Sequence, residues 1–88
     1  MLFIVIERFK RDALAIGERF KQKGRMLPEG VAYQASWVDS AGTRFFQIMD
    51  APQLESLDPW VKRWDDLIDF EIVPVLTSAD FWAKTQPD

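Results

Sequence analysis

The sequence predicts a single α+β domain in which the elements follow the order β-α-β-β-α-β. Short apolar or alternating runs typical of strands flank two segments that have apolar residues at helical spacing. The chain of 88 residues has room for about one small domain. We assign residues 1–76 to the core of this domain, and 77–88 to a C-terminal tail that contains a short helix capped by Ser78.

The first strand and the first helix are predicted within residues 2–24. Residues 2–6 are continuously apolar, which is typical of a central strand that is buried on both faces. Asp12 is suited to the helix N-cap, and Gly24 to the left-handed residue at which the helix stops. A loop over 25–30 then leads to the second strand.

Residues 31–49 predict a β-hairpin. Strict alternation over 31–38 places four residues on one face of the second strand: Val31, Tyr33, Ala35 and Trp37. Residues 39–42 form the turn, and 43–49 form the return strand. That strand has Phe45, Gln47 and Met49 on one face, and Arg44, Phe46 and Ile48 on the other.

The second helix shows the clearest periodicity in the chain. Its apolar stripe contains Leu54, Leu57, Trp60, Val61, Trp64, Leu67 and Ile68. Because proline suits a first helical turn, we expect a short turn from about residue 52 and a main helix from Pro59 to Leu67. The last strand is predicted from Phe70 to Val75, and Pro74 favours either a place at the sheet edge or an end of the strand near this residue.

This order of elements predicts a ferredoxin-like sandwich, in which two helices cover one face of a four-stranded antiparallel sheet. Domains of this size are marginally stable, and the chain has no cysteine for disulfides but four Trp and seven Phe. We therefore expect a homodimer formed through the free sheet face. The sequence leaves open whether Phe45 or Phe46 lies on that face.

Several segments resemble the dimeric α/β-barrel superfamily and, more narrowly, an uncharacterised family of small bacterial proteins with a domain of unknown function. These segments are MLFIVIERF, GRMLPEG, SWV, RFFQIMD and WVKRWDDLIDFEIVPVLTS, which together extend to about Ser78. The resemblance implies a ferredoxin-like subunit and a homodimer, but no activity. The superfamily includes cofactor-free monooxygenases, lactone isomerases and haem enzymes. Its haem branches bind iron through histidine, which this chain lacks.

The usual catalytic and cofactor motifs are absent from the sequence. Serines have no histidine to activate them, and the four glycines form no phosphate-binding loop. Asp65, Asp66 and Asp69 are interpreted as solvated charges at a helix end, since adjacent helical residues diverge around the axis. We therefore expect no metal and no cofactor.

Polar residues within apolar strands are the candidates for a ligand site, because convergent polar groups in an apolar cavity are typical of small-molecule pockets. The ligand-pocket candidates are Glu7, Tyr33, Trp37, Arg44, Gln47, Trp60, Trp64 and Glu71. Gln34 and Ser36 are also polar strand residues. The alternative is that the carboxylates pair with Arg8 or Arg44 at strand ends and that the tryptophans belong to the core.

Charge is unevenly distributed along the chain. Residues 8–25 carry a net charge of +5, although the whole chain carries −3. We interpret the basic segment as a solvated helix face, because phosphate contacts dominate nucleic-acid affinity and the whole chain is acidic. No export signal and no membrane-spanning stretch is present, so we expect a cytoplasmic protein without nucleic-acid or membrane partners.

Two functions remain open at this point, ahead of a distant third, an anion or nucleic-acid binder that would use the basic first helix. The favoured one is an uncharacterised dimeric domain that binds a small, partly apolar ligand. The alternative is a cofactor-independent monooxygenase- or isomerase-like enzyme that acts on an aromatic or polyketide-like substrate. The sequence does not decide whether the chain is an enzyme.

Overall fold

A computed structural model describes residues 1–85 of the chain and has an α+β fold. Four antiparallel strands form one open sheet, and three α-helices and one 3-10 helix accompany it. The elements are β1 (Leu2–Phe9), α1 (Ala13–Lys23), β2 (Ala32–Val38), β3 (Arg44–Asp50), the 3-10 helix (Leu54–Leu57), α2 (Asp58–Trp64), β4 (Ile68–Val75) and α3 (Ser78–Thr85). The end of the predicted tail, residues 86–88, lies outside the described residues.

The strands are arranged in the order β2-β3-β1-β4. The predicted central position of β1 is confirmed, since it pairs with β3 on one side and with β4 on the other. The predicted edge position of β4 is also confirmed. Pro74 has no backbone N–H to donate, so an edge strand is where it is tolerated.

One face of the sheet, called here the inner sheet face, is covered by helices. Phe3, Val5 and Met49 are completely buried on it. They form one core with Ile16 of α1 and with three residues of the 3-10 helix and α2, which are Leu57, Trp60 and Trp64. Both α1 and α2 therefore bury their apolar stripes against the same sheet face.

The opposite face, called here the outer sheet face, carries Ile4, Ile6, Ala35, Trp37, Phe46, Ile48 and Val73. Its residues are half-buried or exposed. The exposed fraction is 58% for Trp37 and 38% for Val73. The expectation that β1 is buried on both faces is thus met only on the inner face. The register also assigns Phe46 to the outer face, because Phe45 faces the core beside Glu7.

The ends of α1 agree with the sequence. The Asp12 carboxylate accepts a hydrogen bond from the Ala15 backbone N–H at 3.2 Å, which satisfies one free donor of the first turn. Gly24 ends the helix with φ at 66°. This backbone conformation is sterically unfavourable for residues that have a Cβ atom, but not for glycine. The Gly24 N–H donates to the carbonyl of Phe20.

The predicted alternation of β2 is wrong in its first half. A β-bulge interrupts the ladder between Tyr33 and Ala35, so exposed Gln34 is an extra residue without a partner on β3. Tyr33 consequently shares the inner face with Ser36, whereas Ala35 and Trp37 lie on the outer face. Period-two patterns cannot show a bulge, because one inserted residue exchanges the faces of everything that follows.

Two predicted helix boundaries also require correction. α2 ends at Trp64 and not at Leu67, and Leu67 and Ile68 remain buried because the chain turns directly into β4. The cap of α3 is Thr77 and not Ser78, since the Thr77 hydroxyl accepts a hydrogen bond from the Asp80 N–H. α3 has no buried residue. Within residues 1–85, no helix is both long enough and apolar enough to cross a membrane.

Candidate ligand-binding cavity

A cavity of about 70 Å³ lies between the inner sheet face and the helices. Its apolar walls are formed by Ile16, Phe20, Phe45, Trp60, Trp64 and Ile68. Four polar side chains also line it: Glu7, Arg25, Ser36 and Gln47. The cavity therefore combines aromatic walls with a few polar groups, as small-molecule sites do.

The polar groups at the sheet side of the cavity are a carboxylate and an amide. Glu7 and Gln47 lie on neighbouring strands, β1 and β3, and both face inward. Gln47 Nε2 donates a hydrogen bond to Glu7 Oε2. Only 3% of Glu7 and 8% of Gln47 are exposed. Gln47 Oε1 is a buried acceptor that has no donor among the described residues.

The surroundings of Glu7 alter its acidity. Burial disfavours the charged form and raises the pKa of Glu7 to about 7 from an ordinary value of 4.5. The hydrogen bond from Gln47 and the positive charge of Arg25 lower the pKa, but they offset only part of the effect of burial. Glu7 is therefore a carboxyl group that exchanges its proton near neutral pH.

Arg25 enters the cavity from the loop that follows α1. Its guanidinium carbon lies 3.5 Å from the centroid of the Tyr33 ring and 5.1 Å from that of Phe20, both within the range of cation–π contacts. The Arg25 carbonyl accepts a hydrogen bond from Trp64 Nε1 at 3.0 Å. These contacts hold Arg25 beside the aromatic walls.

The ligand-pocket candidates predicted from the sequence divide between the two sheet faces. Glu7, Gln47, Trp60 and Trp64 line the cavity together. Tyr33 lies next to it, because its hydroxyl is 2.7 Å from the hydroxyl of Ser36, which is a lining residue.

Three candidates lie elsewhere, on the outer sheet face. Glu71 pairs with Arg8 at 3.2 Å, and Arg44 pairs with Asp39 at 3.4 Å. Trp37 is directly opposite Phe46 of β3. The structure therefore does not bring these three residues to the cavity.

Sequence reasoning missed several lining residues. Ile16, Phe20, Phe45 and Ile68 have the spacing of ordinary core residues, so no local signal distinguishes them. The sequence groups Arg25 with the basic residues of the first helix. Its position directly after the helix-stopping Gly24 is the one signal that separates it from the solvated helix face.

The acidic cluster after α2 faces basic residues at the start of the chain. The Asp66 carboxylate accepts two hydrogen bonds of 2.7 Å from the Arg19 guanidinium, and these hold the pKa of Asp66 at about 2. Asp69 lies 3.5 Å from the Lys10 ammonium. Part of the positive charge of residues 8–25 is thus neutralised within the chain. No group of three potential metal ligands occurs among residues 1–85.

The fold and the cavity together define a small α+β domain with a buried carboxyl–amide pair. The chain belongs to a family described as a domain of unknown function (DUF3303), whose model matches residues 1–87. No curated protein and no solved structure matches the chain.

Proposed function

We propose that the chain is a binding domain that takes a small, partly apolar ligand into the cavity between the sheet and the helices. The observation that carries this proposal is the buried Glu7–Gln47 pair, whose Gln47 Oε1 has no donor within residues 1–85. An unpaired buried acceptor costs about 1–3 kcal/mol, and a desolvated carboxyl group is costly as well. A ligand that supplies a donor recovers part of this cost.

The tryptophans provide a direct test of this site. Trp60 and Trp64 line the cavity, whereas Trp37 and Trp82 are exposed and do not. In a screen of small fragments by ¹H–¹⁵N NMR, we expect saturable shifts at the indole N–H signals of Trp60 and Trp64 only. The variant Ser36→Val, which adds bulk to the cavity, should weaken these shifts, and Gln34→Val on the exposed bulge should not. Fragments that shift all four signals alike, or none, would contradict the proposal.

We infer further that the subunit is ferredoxin-like and that it forms a dimeric α/β barrel through the outer sheet face. The support is the run of apolar side chains on that face, which contains Ile4, Ile6, Phe46 and Ile48 and the exposed ring of Trp37. Contiguous apolar patches of this kind are typical of interfaces, and tryptophan is enriched at their centres. The resemblance to the dimeric superfamily implies the same arrangement.

A second candidate function is an isomerase-like enzyme without a cofactor. Glu7, with a pKa of about 7 in an apolar cavity, has the acidity expected of a general base at neutral pH. It would accept a proton from a carbon next to a carbonyl, while the electron pair moves to the carbonyl oxygen near Arg25, and then return a proton. The cavity of about 70 Å³ favours a substrate smaller than a polyketide.

Hydroxyacetone in D₂O is a suitable probe for this second function. We expect the protein to accelerate the exchange of its methylene protons for deuterium, followed by ¹H NMR, and Glu7→Gln to abolish the acceleration. Equal exchange with the variant would show that Glu7 does not act as a base on this probe.

A further inference from the structure

The groups that line the cavity also indicate which ligand chemistry it accepts. We infer that the ligand is a small neutral molecule whose buried end is an aliphatic alcohol, with the hydroxyl directed at Gln47 and the carbon atoms against Trp60 and Trp64. This inference rests on the proposed function, because it names the class of ligand for the same cavity.

The hydrogen-bonding pattern requires a donor from the ligand. One N–H of Gln47 Nε2 donates to Glu7 Oε2, and the Trp64 Nε1–H donates to the carbonyl of Arg25. Among the described residues, the unpaired buried group on the sheet side of the cavity is an acceptor, Gln47 Oε1. A ligand with only acceptor atoms would leave Gln47 Oε1 unpaired, and this is the costly situation for a buried group.

The charges favour a neutral ligand. Among the described residues, the charged side chains that line the cavity are Glu7 from β1 and Arg25 from the loop after α1. The residues that line the cavity from α1, α2, β3 and β4 are apolar or uncharged, and Ile16, Trp60, Gln47 and Ile68 are examples. The positive charge of Arg25 acts on Glu7 and lowers its pKa. A cationic ligand would face Arg25, and an anionic one Glu7, and burying an uncompensated charge is expensive.

The size of the cavity limits the buried part of the ligand. Its volume of about 70 Å³ is roughly half of the ~150 Å³ that holds a benzene molecule in a protein core. About three or four non-hydrogen atoms therefore fit inside. Phe20, which is 44% exposed, marks a side of the cavity that is open to solvent, where a longer ligand can extend outward.

Four probes of the same branched, four-atom shape separate the possible polar groups. Isopropanol donates a hydrogen bond and is neutral, acetone is neutral but only accepts, isopropylammonium is a cation, and acetate is an anion. We expect isopropanol at millimolar concentration to shift the indole signals of Trp60 and Trp64 saturably at pH 7.5. Each of the other three should bind at least about tenfold more weakly, since each loses the donor or adds a charge.

The variant Gln47→Met removes the acceptor and keeps the length of the side chain. It should weaken isopropanol binding at least about tenfold, whereas Gln34→Met on the exposed bulge should leave binding unchanged. If Gln47→Met does not fold, the four probes on the natural protein still decide. Unchanged binding to a folded Gln47→Met variant would overturn the inference.

The outcomes distinguish this inference from the proposal on which it rests. Acetone, isopropylammonium or acetate binding at Trp60 and Trp64 as tightly as isopropanol would overturn the alcohol assignment and leave the ligand site intact. If none of the four probes binds but other fragments shift the same two signals, the alcohol assignment is again wrong and the site stands. If no fragment shifts them, the proposed function itself fails.

Discussion

Glu7 is the residue whose position explains most about the cavity. The β1 pattern places it on the same face as Phe3 and Val5, so folding of the sheet carries a carboxyl group into the core. Its hydrogen bond to Gln47 satisfies part of its polar surface, and the remainder faces the cavity. The sequence shows that Glu7 is a polar residue next to apolar neighbours, but it does not show whether the partner is Arg8, Arg44 or Gln47.

The raised pKa of Glu7 predicts an unusual dependence of stability on pH. Between pH 4.5 and about 7 the folded state binds more protons than the unfolded state, so the free energy of unfolding falls as pH rises through this window. The free energy of unfolding falls by about 3 kcal/mol in total, which follows from the difference between the two pKa values. Among the described residues, Arg25 is the other charged group that lines the cavity.

The variant Glu7→Gln should remove this dependence. We expect it to be more stable than the natural protein at pH 8, by up to about 3 kcal/mol, and similar to it near pH 4.5. Urea denaturation at fixed protein concentration, followed by tryptophan fluorescence, measures the difference. Glu71→Gln on the outer sheet face is the matched control. Parallel pH curves for Glu7→Gln and the natural protein would contradict the assignment.

Asp39 and Asp66 act in a separate pH window. Hydrogen bonds from Thr43 and Arg44 hold the pKa of Asp39 at about 2, and Arg19 does the same for Asp66. Both pKa values lie below the ordinary 3.8, so the stability that these groups contribute is present above pH 3.8 and is lost as pH falls toward 2. Their effect therefore does not overlap with that of Glu7.

At the scale of elements, local chemistry determined which features could be predicted. Asp12 and Gly24 act through their own backbone neighbourhood, and Pro74 acts through its missing N–H, so these residues indicate their structural roles directly. The end of α2 was not predictable in this way. Leu67 and Ile68 are buried whether they belong to a helix or to a turn into β4, and the apolar pattern records only their burial.

The β-bulge at Gln34 makes a specific prediction about β2. Deleting Gln34 restores the period of two and leaves Tyr33 on the inner face and Trp37 on the outer one, as they are now. We expect the deletion variant to fold, with a cooperative denaturation curve close to that of the natural protein. Deleting Ile48 is the control. β3 pairs with a strand on each side and has no extra residue, so this deletion would move every later side chain of β3 to the opposite face. Loss of folding in the Gln34 deletion would show that the bulge is required.

The cavity itself was predictable only in part, because it is assembled from separate elements. Trp60 and Trp64 belong to one helical stripe, and Glu7 and Gln47 each interrupt an apolar strand, so local patterns indicate all four. Arg25 comes from a loop, and the sequence does not show where that loop returns to the sheet. Trp37, Arg44 and Glu71 resembled cavity residues because a single sequence does not say which sheet face the helices cover.

At the scale of the whole molecule, the outer sheet face is the surface that needs a partner. We predict that the protein sediments as a dimer at micromolar concentration and that Phe46→Lys converts it to a monomer, because a lysine on that face would bury a charge at the interface. Leu14→Lys is the matched control, since Leu14 of α1 is 70% exposed and lies away from the sheet. A monomeric natural protein, or a dimeric Phe46→Lys variant, would refute this assignment.

The sheet and the helices form a cavity in which Glu7 is held away from water. The carboxyl ¹³C chemical shift of Glu7, followed by NMR over a pH titration, tests this most directly. The structure predicts a midpoint at about pH 7, because burial outweighs the hydrogen bond from Gln47 and the charge of Arg25. A midpoint near the ordinary value of 4.5 would mean that Glu7 is hydrated, and it would contradict the cavity on which the proposed function depends.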